Sequence, residues 1–455
     1  MNKFELISKY NVPGPRYTSY PTVPYWETNP TEEQWLDQLN HALDINLEKN
    51  IGAAVYMHIP FCESLCTYCG CNTRITRNHG VGMPYVEIML KEWDLYLKKL
   101  GREKILLSEL HLGGGTPTFL SPNELKYLLT RFLSKVILTS SKEFSIEVDP
   151  RVTTFEHLKT LRELGFIRIS LGVQDFDLRV QQAVHRVQSV DQVKLVTDQA
   201  REIGFESVNF DLIYGLPFQN LQSIKNTFNE VIQLRPDRIA YYSYAHVPWI
   251  KASQRRFTEA DLPSGEEKRK LYEMGLEILT RNQYIEIGMD HFALKKDSLN
   301  HAMNKGELHR NFMGYTSRYV SPLFGLGVSA IGDAWGAFSQ NEKLLEHYQN
   351  RIEKNELPLL RGHLLTDEDL LIRKHILNLM TKFYTRWEDA EDQGNFLSQI
   401  PYRLAELQED GLVDLTKNSC IITEEGKPFV RNICMAFDVR LMRKKPDTML
   451  FSQTI

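Results

Sequence analysis

Cys62-Glu63-Ser64-Leu65-Cys66-Thr67-Tyr68-Cys69-Gly70-Cys71 is the stretch around which this 455-residue chain is organised. Four of its six cysteines lie there; the other two, Cys420 and Cys434, are near the C-terminus. Three thiols at C-x3-C-x2-C spacing on a short loop can all point at one small object. Thiolates are soft ligands that favour iron–sulfur clusters, zinc or copper(I). Zinc usually takes separated pairs of ligands, and no second pair or Cys/His knuckle follows here. The competing readings are a chance cluster of reduced cysteines and a local zinc loop. The sharper one is that Cys62, Cys66 and Cys69 hold three irons of a [4Fe–4S] cube and leave the fourth iron without a protein ligand.

Outward from the loop comes Gly113-Gly114-Gly115-Thr116-Pro117. By themselves these glycines could be a tight turn, or a place where backbone amides approach a ligand. C-x3-C-x2-C followed by this run resembles the radical S-adenosylmethionine (radical SAM) enzymes. The resemblance implies that the open iron chelates the amino and carboxylate groups of S-adenosylmethionine. It also implies that the reduced cluster breaks the carbon–sulfur bond to release a 5′-deoxyadenosyl radical.

Composition is ordinary, with 42% hydrophobic and 25% charged residues and a net charge of −4. A phosphate-binding protein needs a net basic face, so a nucleic-acid partner is not expected. No apolar run approaches the roughly eighteen residues of a membrane span, and the first residues lack a secretory signal's apolar core. A cytoplasmic chain with reduced thiols is expected, and a monomer, since no long coiled coil or obvious pairing strand stands out.

From residue 53 short apolar runs alternate with amphipathic stretches. Strands are expected at Ala53–His58, Glu109–Leu112, Phe144–Val148, Ile167–Leu171, Ser207–Ile213 and Arg238–Tyr244. Helices are expected at Tyr85–Leu100, Pro122–Leu133, Phe155–Leu164, Val190–Ile203 and Leu221–Leu234. Arg162-Glu163-Leu164-Gly165-Phe166 and Arg201-Glu202-Ile203-Gly204-Phe205 repeat one device, a glycine ending a helix before a phenylalanine returns to the sheet. Repeated strand–helix units make a parallel sheet, flat or barrel-shaped. Periodicity leaves both open; the resemblance implies a partial (β/α)6 barrel. Polar residues close each strand: His58, the glycines, Glu147 with Asp149, Gln174, Asp211, then Tyr244 and His246. Strand C-terminal ends form the active face of such barrels.

The expected fold class is therefore α/β, a partial (β/α)6 radical SAM barrel with an N-terminal arm and a mostly helical, winged-helix-like C-terminal domain. The expected division is an arm and helix over 1–50, the barrel over 51–285, a barrel extension over 286–363 and the C-terminal domain over 364–455. Pro13-Gly14-Pro15-Arg16-Tyr17-Thr18-Ser19-Tyr20-Pro21-Thr22 cannot be regular helix. It either lies on the surface or carries Arg16 into the site. Arg440–Lys445 reads as a solvated face.

Over nearly its whole length the sequence is similar to the oxygen-independent coproporphyrinogen III oxidases. Pro13–Thr22, Tyr56–Cys62, Cys71, Gly113–Pro117, Ser145–Pro150, Gly172–Phe176, Asp211–Pro217, Gly288–Ala293, His309–Thr316, Arg431–Asp438 and Phe451-Ser452 carry the likeness. It implies oxidative decarboxylation of two propionates of coproporphyrinogen III to vinyl groups, giving protoporphyrinogen IX. It implies cluster ligation by Cys62, Cys66 and Cys69 but not Cys71. Tyr56, Gly114, Glu147 and Ile331 would hold one S-adenosylmethionine, and Tyr68, Gly115, Thr116, Gln174, Arg186, Asp211 and Ala245 would line a second. Met313 departs from the pattern, standing where such oxidases carry Gln, and a thioether cannot donate an amide's hydrogen bonds. Four substrate propionates call for cations, with Arg16 and Arg310 as candidates, and a small electron-transfer protein or reductant must supply electrons. The alternatives are a related haem-trafficking group and a radical SAM methyltransferase. The former usually has Phe at the place of Cys71 and lacks the Pro-Gly-Pro-Arg-Tyr-Thr arm, whereas this chain has both the cysteine and the arm, which favours the oxidase.

Overall fold

In the computed structural model the described residues are 3–249, 251–388, 396–444 and 451–454. Six parallel strands form the centre: β1 (Ala53–Ile59), β2 (Ile105–Gly114), β3 (Val136–Val148), β4 (Arg168–Gln174), β5 (Ser207–Tyr214) and β6 (Arg238–Ser243). Each pairs with the next, so space follows sequence. The sheet then grows at both sides into twelve strands. Leu323–Leu326 lies parallel to β1 and leads outward through antiparallel strands to Leu359–Leu364. His291–Leu294 and Tyr284–Gly288 extend the β6 side. The edge strands do not pair with each other among the described residues, so the barrel stays open.

Helices Gly82–Leu100, Pro122–Leu133, Phe155–Glu163, Val190–Glu202 and Leu221–Leu234 cover the outside. Ser121, Thr154, Ser189 and Asn220 cap the last four through their side chains, which fixes where each helix begins. Gly165 and Gly204 take φ of +94° and +92°, as the repeated helix-ending device requires. Alternation along the strands divides the sheet into two faces. Leu110, Leu112, Ile146, Ile169, Leu171, Val208 and Phe210 are buried against the helices, and the alternate positions face a polar interior.

A second core joins the two ends of the chain. An N-terminal helix, Lys3–Tyr10, and the following arm bring Leu6, Ile7, Tyr10, Tyr17 and Tyr20 against Ile372, Leu379, Trp387, Ile433 and Phe437. Beside helix Asp367–Lys382 lies a three-stranded sheet in the order Tyr384–Arg386, Ser419–Ile422, Val413–Thr416. Arg431 donates to the carbonyls of Pro15 and Gln453 at 2.9 and 2.8 Å, tying arm and C-terminal tail together. Arg440 departs from the solvated face expected of its stretch. It donates to buried Asp369 at 2.7 Å and to Glu27 at 3.1 Å, because both acids lie on elements distant in sequence. Lys445 falls outside the described residues.

Candidate active site

Backbone hydrogen bonds close the cysteine loop. Phe61–Cys62 pairs in parallel with Arg74–Ile75, Thr76 N–H donates to the Cys62 carbonyl, and Thr67 N–H donates to that of Val184. The glycine run docks on the same loop, with Gly115 N–H on the Ile59 carbonyl at 2.8 Å and Thr116 N–H on that of Phe61 at 2.9 Å. The two motifs that stood apart in sequence thus share one wall.

Cys62, Cys66, Cys69 and Cys71 all line a cavity of about 660 Å³ that runs down into the barrel. Among the described residues no three Cys, His, Asp or Glu side chains gather closely enough to hold a single metal ion. The thiols differ in setting. Burial pushes Cys62 up to about 11. The Cys71 thiol bonds to Cys69, which lowers Cys69 and raises Cys71, and the charges of Lys251 and Arg186 favour the Cys69 thiolate further. Cys66 Sγ lies 3.8 Å from Arg186 Nη1 and 4.0 Å from Arg151 Nη2.

Both guanidiniums also hold Asp149, at 3.0 Å from Arg186 and 2.6 Å from Arg151. Burial opposes ionisation there, but the two cations outweigh it and keep the Asp149 carboxyl down at about 2. Arg186 also donates to the Gly172 carbonyl at 2.6 Å. A cationic bracket of fixed geometry therefore backs the cysteine loop.

Inward-facing residues of successive strands complete the walls. Glu147 accepts from Gly114 N–H at 3.3 Å and lies 3.4 Å from His111 Nε2, with 44% of its side chain exposed to the cavity. Asp211 accepts from Ser170 at 2.8 Å and Asn209 at 2.9 Å, and burial still raises it to about 6. Tyr68, Gly114, Gly115, Thr116, Glu147, Gln174, Arg186 and Asp211 are thus brought to one cavity with the four cysteines.

Tyr56, Ala245, Ile331, Arg16 and Arg310 are not part of that lining. Tyr56 sits behind it, stacked on His111 at 5.9 Å and hydrogen-bonded to His58 at 3.0 Å. Ala245 follows β6 with its carbonyl bonded to Gln254, and Ile331 pairs with Gln340. The two arginines differ. Arg16 is engaged, donating to the Ser243 carbonyl at 3.0 Å and pairing with Asp290 at 3.5 Å. Arg310 is buried over the ring of Tyr315, and its Nε and Nη1 have no partner among the described residues.

Sequence reasoning missed His111, Ser145, Ser170, Asn209 and Tyr242, which share the cavity wall. The signal was available, since each stands two residues along its strand from another lining position: His111 from Glu109, Ser145 from Glu147, Asn209 from Asp211.

Known proteins resemble this architecture. Residues 56–231 match the Radical SAM superfamily. The chain is 40% identical over 441 residues to the oxygen-independent coproporphyrinogen III oxidase of Pseudomonas aeruginosa, covering 95% of each. It is 39% identical to that of Escherichia coli, covering 99% of this chain and 98% of the relative. The solved structure of coproporphyrinogen III oxidase from Escherichia coli superposes with a TM-score of 0.88 at 37% identity, over 96% of this chain and 98% of that one. With a thiol-lined barrel, a shared fold and end-to-end identity of this order, the chain belongs to the oxygen-independent coproporphyrinogen III oxidase family of radical SAM enzymes.

Proposed function

We infer that this chain carries out radical SAM oxidative decarboxylation, converting two propionates of coproporphyrinogen III to vinyl groups in haem biosynthesis. The observation that carries the reading is the end-to-end match to relatives named for that one activity. The thiol spacing by itself suits many radical SAM chemistries. A [4Fe–4S] cluster and S-adenosylmethionine, when bound, supply a one-electron route to removing hydrogen from unactivated carbon.

The residues present fit those groups. The donors are soft thiols, and the guanidiniums of Arg151 and Arg186 beside Cys66 Sγ favour thiolate charge. We assign Cys62, Cys66 and Cys69 to the cluster, with Cys71 standing off as a hydrogen-bond partner of Cys69. Tyr56, Gly114, Glu147 and Ile331 are assigned to one S-adenosylmethionine. Tyr68, Gly115, Thr116, Gln174, Arg186, Asp211 and Ala245 are assigned to a second. Glu147 suits an ammonium or ribose hydroxyl, since its carboxylate is half exposed and only lightly bonded. Of the two candidate substrate cations, Arg310 suits a carboxylate better than Arg16, whose guanidinium is already engaged.

No general base is required of the chain. Its work is to orient the substrate, exclude water and set the charge around the thiols. The arm and the C-terminal core close over the end of β6, where Arg16 meets the Ser243 carbonyl. We further place the enzyme in the cytoplasm as a monomer served by a small electron-transfer protein or reductant. The test is anaerobic incubation of reconstituted protein with reductant, S-adenosylmethionine and coproporphyrinogen III. Stepwise loss of two carbon dioxide molecules is expected. S-adenosylhomocysteine among the products, or tight haem binding with no carbon dioxide released, would overturn the reading.

A further inference from the structure

His111 has no part in the chemistry derived so far, although it lies in the cavity wall and reaches Glu147. Its place follows from strand register. Tyr56 on β1 pairs with His111 on β2, and His111 pairs with Ser145 on β3, so the three form one row across the sheet. Two residues further along each strand, nearer the cysteine loop, come His58, Gly113 and Glu147. Glycine at 113 keeps open the space between Glu147 and Tyr56, where a methyl would stand 3.0 Å from each. His111 reaches the carboxylate from the row below.

The imidazole is held on three sides. Tyr56 stacks on its face, with 5.9 Å between ring centres and 19° between planes. Tyr56 is itself fixed by its 3.0 Å bond to His58 Nδ1, and His58 Nε2 lies 2.9 Å from the Asn72 carbonyl. His111 Nδ1 lies 2.7 Å from Ser145 Oγ, and Nε2 lies 3.4 Å from Glu147 Oε1. A carboxylate can only accept, so the nitrogen facing it carries the proton. In the neutral ring Nδ1 must then accept, and the Ser145 hydroxyl is the donor that fixes this tautomer.

Glu147 is thus held from the protein side by one donor on each oxygen. His111 Nε2–H meets Oε1, and Gly114 N–H meets Oε2 at 3.3 Å. Both bonds are long, so they aim the group without satisfying it. The remaining lone pairs belong to a side chain that is 44% exposed. An anionic acceptor oriented in this way is ready for the hydrogen-bond donors of a ligand.

We propose that His111 is a positioning residue, kept by Ser145 in the tautomer that aims the Glu147 carboxylate at S-adenosylmethionine. The proposal rests on the assignment of Glu147 to that cofactor in the functional reading above.

The probe is S-adenosylmethionine itself, titrated anaerobically into reduced, cluster-loaded protein. Binding is read from the change it makes in the electron paramagnetic resonance spectrum of the cluster. His111→Leu raises the dissociation constant about tenfold, through loss of one hydrogen bond to a charged group. Two amides then separate positioning from packing. In His111→Gln the amide nitrogen reaches the place of Nε2, and affinity returns to within about twofold of the parent. In His111→Asn it reaches only the place of Nδ1, bonds Ser145, and leaves binding as weak as in the leucine variant. Ser145→Ala, which frees the tautomer, weakens binding about threefold. Where Glu147→Ala is already present, His111→Leu adds less than about twofold, because the group it aims is gone. Cluster iron and circular dichroism stay at parent values throughout. Glutamine and asparagine variants that bind alike overturn the proposal and leave His111 a packing residue. So does parent-like affinity in the leucine variant, or a leucine effect undiminished beside Glu147→Ala. A parent protein whose cluster spectrum ignores S-adenosylmethionine instead condemns the functional reading itself.

Discussion

The two halves of the barrel interior treat charge in opposite ways. In the half away from the cysteines Arg168 lies 2.8 Å from Glu143, Arg238 lies 2.9 Å from Asp297, and Arg318 lies 3.1 Å from Glu109. Each charge there has found its opposite. In the half that opens on the cysteine loop Asp149 is paired with Arg151 and Arg186, but Glu147 has only a long bond from Gly114 N–H and a distant imidazole. Burying charge costs several kcal/mol unless it is paired, so the paired half is scaffold. The half left incomplete is where a ligand finishes the set.

The sharpest way to break that contrast is at the loop. Cys66→Ser removes the thiol that faces Arg151 and Arg186, and decarboxylation should vanish. Cluster iron, assayed after reconstitution, falls with it, while the circular dichroism and melting of the cluster-free protein hold. A variant that still releases carbon dioxide would place the chemistry elsewhere. In the other half the opposite result is expected. Arg238→Met leaves Asp297 buried without its main partner, at a cost of about 3 kcal/mol in a urea titration. Turnover per folded molecule stays near wild type. Lost turnover without lost stability would mean that the lower half also handles ligand.

Much of this was legible because strand ends carry the chemistry. The helix Leu221–Leu234 lies where its periodicity placed it, and Gly165 and Gly204 end their helices as their spacing required. β2 and β3 begin at Ile105 and Val136, well before the residues expected: in β2 the run Ile105-Leu106-Leu107 is apolar throughout and shows no alternation, and in β3 the first half carries exposed and polar side chains that blur it. The N-terminal helix Lys3–Tyr10 was not foreseen. Its apolar residues Leu6, Ile7 and Tyr10 find their partners some 370 positions away, around Ile372 and Leu379. The paired arginines of the lower half escaped notice for the same reason: Asp297 and Glu143 are near Arg238 and Arg168 only after the sheet has formed. Glu92 escaped it too. It is a wholly buried acid held by Tyr348, Asn341 and Gly327, and nothing in its helical neighbours announces it.

Titration probes the scaffold half more gently. Burial, with Glu143 adding, raises the Glu109 carboxyl to about 7 against the pull of Arg318, and burial alone takes Glu92 to a similar value. Between the unfolded carboxylate range and pH 7 the folded chain therefore holds protons that the unfolded chain has released. Stability should fall as pH rises across that interval and level off above it. Glu109→Gln should remove about 2 kcal/mol of that decline, leaving the share due to Glu92. Chemical denaturation at pH 5, 6 and 7 measures it, and an unchanged slope would mean that Glu109 is ionised throughout.

The smallest expected effect returns to the ligand half. A methyl group on Gly113 would stand 3.0 Å from both Glu147 Oε1 and the Tyr56 ring, close enough that one of them must give way. The Glu147 side chain is half exposed and lightly bonded, whereas Tyr56 is pinned between His58 and His111, so the carboxylate is the one to move. Gly113→Ala should therefore leave melting nearly unchanged and raise the KM for S-adenosylmethionine a few-fold, about 1 kcal/mol of ground-state binding, with kcat little altered. Glu147→Gln, which keeps the shape and drops the charge, should weaken the same KM more, because the misplaced carboxylate of the alanine variant is still a carboxylate. If instead Gly113→Ala costs stability and spares that KM, Glu147 is held as firmly as the paired acids below it, and the difference between the two halves is one of depth alone.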